Sequence, residues 1–272
     1  MISRRSNGLF GAAALVACIK PLGPLQSAHT FHILTQTLMP FVCQVCASLH
    51  PHIPASCRSA MVHFNESLAR AVVSDRTFGR DGAPWEFNLR DVLRWCELTE
   101  AAVVASGTSA APDSAAMRAA VVATFPVVYL RRMRTAEDRA HTAALFSKHF
   151  DLDSFSDAPP VVVPGSDVTR LGVAVLPHGN AASRGSMPML LLRQQLPCME
   201  AAAAALARGW MAILVGPSAS GKTVLARSLA LLAGARLHEV RVIPVALSVC
   251  RALEVTKERT LCFVRHKRLT LC

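Results

Sequence analysis

Gly216, Pro217, Ser218, Ala219, Ser220, Gly221, Lys222 and Thr223 set two glycines, an amine and a hydroxyl at a spacing suited to holding phosphate. The pattern is G-x-x-x-x-G-K-[ST], with the apolar run MAILV before it and the periodic run TVLARSLALLAG after it. The glycines allow the backbone to wrap a β-phosphate, successive N–H groups turn inward, and the following helix start adds a favourable dipole. Lys222 is placed to neutralise the β and γ phosphates and the Thr223 hydroxyl to sit on Mg2+, so ATP with Mg2+ is the expected ligand pair. The rival reading is a strand-turn-helix whose glycines only tighten a turn, and the strand-like and helix-like flanks weigh against it. A G-x-S-x-G nucleophile elbow is excluded, because the fifth residue from Gly216 is Ser220.

Binding is only half of hydrolysis. A nucleotide-hydrolysing site of this kind also takes a carboxylate from a second strand to hold Mg2+ and orient water. Beyond Thr223 the acidic residues are Glu239, Glu254 and Glu258, and none follows a run of four apolar residues. No catalytic residue is therefore assigned, and enzymatic activity stays open on this reading.

Three other clusters have chemical potential. Cys43, Cys46, His50, His52 and Cys57 lie close together, but no second C-x-x-C or spaced histidine pair completes a zinc pattern, so a non-metal role is expected. Arg131, Arg132 and Arg134 suit RNA backbone, or else form a solvated helix end paired with Glu137 and Asp138. The terminal RHKRLTLC is basic without interleaved aromatics, which fits nonspecific RNA contact only.

A net charge of +11 and a pI near 9.8 favour an anionic partner, while 52% hydrophobic residues exclude a disordered composition. Nine scattered cysteines, an odd count without repeating spacing, read as reduced thiols. The first 65 residues contain no Asp or Glu and include LFGAAALVACI, too short for a bilayer span and resembling a signal-peptide h-region or an organellar leader, mitochondrial as the alternative location, against the commoner reading of a short apolar helix without a targeting role. No membrane partner is expected.

The elements that position these residues follow from periodicity. Met61, Phe64, Leu68 and Val72 fall on one helix face. Asn88 is the expected N-cap of a second helix with Leu89, Leu93, Cys96 and Val103 inward. A third helix runs from PDSAAMRAAVVA to a stop near Pro126, and a fourth starts at Thr135 with Asp138 reaching back to complete a capping box. Residues 151–185 are rich in Pro, Gly, Ser and Asp and read as a connector. After them come a helix over LPCMEAAAAALARG, a buried strand over MAILVG, and a helix closed by Gly234 at the C′ position. LHEVRVIPVAL is the last strand candidate, its second half weakened by Pro244. The division is an unassigned 1–45, a helical 46–150, a connector 151–185, a partial nucleotide-binding core 186–245 and an unassigned basic tail 246–272.

Three stretches carry a family likeness: MVHFNESLARAVV with FGRDGAPWEFNLRDVLRWCEL; VVYLRRMRTAEDRAHTAALFSKHF; and LLLRQQLPCMEAAAAALARGWMAILVGPSASGKTVLARSLALLAGARLHEV. Together they resemble the midasin family of dynein-related AAA ATPases, which act on precursors of the large ribosomal subunit. The resemblance implies an α/β fold: a partial AAA P-loop NTPase core preceded by an α-helical lid bundle, the lid of one module leading into the next. It implies that Arg90 stands where the lid arginine would meet the nucleotide of the preceding module. It further implies a pre-60S ribosomal particle as partner, and the nucleolus and nucleoplasm as location. Beyond Glu239 the sequence departs from the family pattern, and the first 45 or so residues do not follow it.

Overall fold

The computed structural model describes residues 40–106, 115–177, 192–215, 219–242 and 260–266; for the last two strands it describes the backbone. Chain order begins with helix α1 (residues 40–49), then α2 (Ala55–Ala69), which runs on into a π-helical turn, Arg70–Ser74. Helices α3 (Leu89–Ala105), α4 (Ala115–Val128) and α5 (Ala136–His149) complete a bundle.

Each helix start has a local cause. The Asn88 side chain accepts the Arg90 N–H while Asp91 accepts the Asn88 N–H, a reciprocal capping box that satisfies two otherwise orphaned donors. Thr135 caps α5 by accepting the Asp138 N–H at 3.0 Å. The expected return contact from Asp138 does not form: its carboxylate instead accepts the Gly79 N–H at 2.7 Å, tying the 75–88 loop to α5. Helix α4 includes Pro126 and ends two residues later at Val128, close to the expected stop. The proline lies in the final turn, where only a short continuation is needed, and the Thr124 hydroxyl bonds back to the Ala120 carbonyl at 2.8 Å.

The bundle closes around aromatic rings. Trp95 is fully buried, and its indole N–H donates to Thr124 Oγ1 at 3.1 Å and to the Val121 carbonyl at 3.3 Å. Phe64 meets Trp95, Phe125, Tyr129 and Phe146 edge-on with centroids 5.2–5.7 Å apart, the geometry favoured by ring quadrupoles. The buried Tyr129 hydroxyl donates to Asn65 Oδ1 at 3.0 Å. Met61, Phe64, Leu68 and Val72 all face this core, as their spacing predicts.

The 151–185 stretch, expected as a connector, contains a three-stranded antiparallel meander: β1 (Val162–Pro164), β2 (Val168–Leu171) and β3 (Ala174–Pro177). Leu171, Ala174 and Leu176 are buried, and α6 (Leu196–Ala207) packs on the sheet through Met199, Ala202 and Ala203. The alanine run lets helix and sheet approach closely. The same hydrophobic cluster continues to Leu225 and Leu229 of α7 (Lys222–Leu232). Strands β4 (Arg236–Val242) and β5 (Thr260–His266) pair in parallel, the second of them within the tail left unassigned from sequence.

Candidate functional site

The phosphate-loop residues are placed in part. Gly216, Pro217 and Ser218 lie outside the described residues. Ala219 has φ 62° and Gly221 φ 82°, so the backbone turns through the left-handed region twice just before α7 begins at Lys222. No side-chain hydrogen bond caps that helix start at Gly221. Lys222 Nζ lies 3.2 Å from Ser220 Oγ, and Lys222 and Thr223 are half-buried. At the far end Gly234, φ 57°, follows Ala233, and the Ala235 N–H reaches the Ala230 carbonyl at 2.9 Å, as a glycine C′ position requires.

The chemistry of the donor set, helix-start N–H groups, a lysine amine and the Thr223 hydroxyl, fits an anion such as a polyphosphate. Its setting departs from the expected core. Residues 211–215, expected as a buried strand, join no ladder among the described residues, and Met211, Ile213 and Val215 are 83%, 75% and 87% exposed. An apolar strand is covered on both faces only when neighbouring strands and crossover helices flank it. Here the β4–β5 pair forms without it. The lid bundle and meander are thus present, and an α/β phosphate-loop core is not assembled among the described residues.

A second polar centre, which sequence reasoning missed, lies just ahead of the loop. Glu200, on α6 with a side chain 4% exposed, is joined by the Arg131 guanidinium, and its other oxygen accepts the Val173 N–H at 2.7 Å. Arg131 also grips Asp157 through two bonds at 2.9 and 3.3 Å. These two carboxylates raise the Arg131 pKa against the opposing effect of burial. Gly172, φ 56°, leaves room for the carboxylate: a Cβ there would stand 1.9 Å from Glu200 Oε1. The only sequence hint was a lone glutamate in an alanine-rich helix.

This geometry corrects the reading of the basic run. Arg131 is held by Asp157 and Glu200, while Arg132 bonds to Asp91 at 3.4 Å and the Glu86 carbonyl at 3.1 Å and lies over the Phe87 ring. Glu137 and Asp138 are not their partners: Asp138 serves Gly79, and Glu137 lies 3.9 Å from His141. An RNA-binding role through Arg131 and Arg132 loses its free cations. Arg90 is exposed at the start of α3.

Of the cysteine-histidine cluster, Cys46 and Cys57 are buried, Cys43 and His50 are half-buried, and His52 is exposed. His50 Nδ1 lies 2.9 Å from Glu100 Oε2, and the buried Cys46 and Cys96 thiols share a hydrogen bond that lowers the first pKa and, with burial, raises the second. Burial also pushes up the Cys43 and Cys57 thiols. No helix among the described residues is long and apolar enough to cross a membrane.

Residues 42–153 match the family described as the midasin AAA lid domain. The chain is similar to midasin of Dictyostelium discoideum, 30% identical over 218 residues, which covers 72% of this chain and 4% of that protein. It is also similar to midasin of Giardia intestinalis, 32% identical over 180 residues, covering 59% of this chain and 4% of that protein. The chain therefore spans about 4% of the length of these curated relatives.

Proposed function

The chain belongs to the midasin family through its AAA lid domain, and from that premise we propose that residues 216–223 are the ATP-holding loop of the module that follows the lid. In the whole protein that module acts in assembly and nuclear export of the large (60S) ribosomal subunit, with the pre-60S particle as partner and the nucleolus and nucleoplasm as its place of work. The observation that carries the reading is the start of α7, where two left-handed turns deliver an uncapped helix N-terminus and Lys222 to one point.

When bound, ATP with Mg2+ would supply the phosphoryl chemistry. Backbone N–H groups around 219–223 would hold the phosphates, Lys222 would offset their charge, and the Thr223 hydroxyl would orient the metal. Gln195 approaches the loop from the turn before α6: a Cβ on Gly221 would meet its Nε2 at 2.6 Å, so the glycine keeps that passage open. Turnover belongs to the complete module, because the Mg2+ carboxylate strand is not supplied by the sequence after Thr223.

The test is titration of the full chain with a fluorescent ATP analogue and Mg2+, beside a phosphate-release assay, for the parent sequence and Lys222→Ala. The expected result is weak binding that Lys222→Ala removes, with no turnover above the blank. Binding indifferent to Lys222→Ala overturns the loop assignment; robust turnover abolished by it overturns the division of labour.

A further inference from the structure

Away from the phosphate loop, the segment linking α2 to α3 builds a groove of about 600 Å3. Its apolar lining is Val72, Val73, Phe78, Ala83, Pro84 and Trp85, and its charged lining is Arg76 and Arg80. Both arginines are exposed, and neither guanidinium has a hydrogen bond or ion pair among the described residues. The nearest carboxylates in sequence, Asp75 and Asp81, do not line the groove, and Asp138 is engaged by the Gly79 N–H.

The groove is preformed. The Trp85 indole N–H donates to the Gly79 carbonyl, Arg132 holds the Glu86 carbonyl, and Asp138 holds Gly79 from the bundle. The backbone takes three left-handed positions in seven residues: Arg76 at φ 51°, Gly79 at 78° and Gly82 at 121°. Arg76 alone among them has a side chain, so its conformation carries strain that the surrounding contacts must hold. The result sets two cations beside an apolar lining.

We propose that this groove is a docking site for an acidic peptide segment carrying a bulky aliphatic side chain, which seats on Val72, Val73 and Pro84 while flanking carboxylates meet Arg76 and Arg80. The charge complementarity is direct: two guanidinium forks without acidic partners, in a chain of net charge +11. Single-stranded RNA fits less well. Phe78 already stacks on His141 at 5.4 Å and Trp85 on Phe87 at 6.0 Å, so each ring has one face covered, and the remaining apolar lining, Val72, Val73, Ala83 and Pro84, is aliphatic and offers no stacking platform.

Fluorescence anisotropy with the full chain tests this, using a labelled peptide of about eight Asp and Glu residues around two leucines. Comparison probes are the same peptide with alanine for leucine and a uridine oligonucleotide of similar charge. Arg76→Gln/Arg80→Gln is expected to weaken peptide binding about tenfold or more, whereas Arg193→Gln/Arg208→Gln, an equal charge change at two exposed positions elsewhere, leaves it within about twofold. Val73→Asp, at an exposed position, is expected to abolish binding without unfolding the chain, which circular dichroism checks. Equal loss in both double variants, indifference to the leucines, tighter binding of the oligonucleotide, or no peptide binding at low salt each overturns the proposal.

Discussion

Glu200 and Arg131, 69 positions apart, meet as a buried ion pair that fastens the helix leading to the phosphate loop onto the lid bundle. The carboxylate is buried, and its other oxygen is committed to the Val173 N–H. Removing one member of a buried pair leaves the other charge uncompensated, a loss of about 3–5 kcal/mol. Arg131→Ala should therefore lower the urea midpoint sharply, and hydrogen exchange should rise first in α6 and the β2–β3 turn.

Gly172→Ala should be nearly as damaging, by about 2–3 kcal/mol. The added methyl would stand 1.9 Å from Glu200 Oε1 on a backbone at φ 56°. Because the damage passes through the same carboxylate, Gly172→Ala combined with Glu200→Ala should cost clearly less than the sum of the single variants in a denaturation cycle. Full additivity would refute the shared origin.

The lid core should respond to Trp95 in two separable ways. Trp95→Phe keeps ring contacts but deletes the donor to Thr124 and Val121, an expected loss of about 1–2 kcal/mol. Trp95→Ala also opens a cavity against Phe64, Tyr129 and Phe150 and should cost about 3–5 kcal/mol. Chemical denaturation of both variants reads the difference.

His149 gives the fold a weak dependence on acid. Burial first, then the charges of His63 and Lys148, depress its pKa below the ordinary 6.5. The folded chain therefore favours neutral imidazole, whose Nε2 lies 3.0 Å from Ser67 Oγ. Its stabilising contribution is complete above about pH 6.5 and is lost as pH falls from there through the folded pKa, since the unfolded chain takes up the proton first. NMR titration should find the His149 midpoint below that of a histidine in the urea-unfolded chain, and His149→Gln should flatten the decline in stability on acidification.

Local signals were legible in the sequence, and long-range ones were not. The Asn88 cap, the stripe from Met61 to Val72 and the Gly234 stop depend on neighbours within a turn or two, and all three have the geometry expected. The meander was hidden because its three or four residue strands sit among the Pro, Gly and Ser residues that also mark loops. Asp138 went to Gly79 and Arg131 to Glu200 because partners brought close by folding outcompeted those close in sequence. The strand reading of residues 211–215 failed for a related reason: apolar composition makes a strand possible, but only a neighbouring edge makes it real. Within the candidate site, the G-x-x-x-x-G-K-T spacing was visible at once, while the ion pair standing ahead of it left no motif.

Among the described residues, Arg131 to Glu200, Arg170 to the Ala105 carbonyl, and Arg94 over the Trp210 ring at 5.2 Å reach from the lid toward the loop. Leu225 and Leu229 of α7 lie in the same buried cluster as Met199 and Ala203 of α6. A displacement at Lys222 is therefore relayed through packed side chains to α6 and, by Glu200, to Arg131 on the bundle, so the lid and the start of α7 are mechanically in gear.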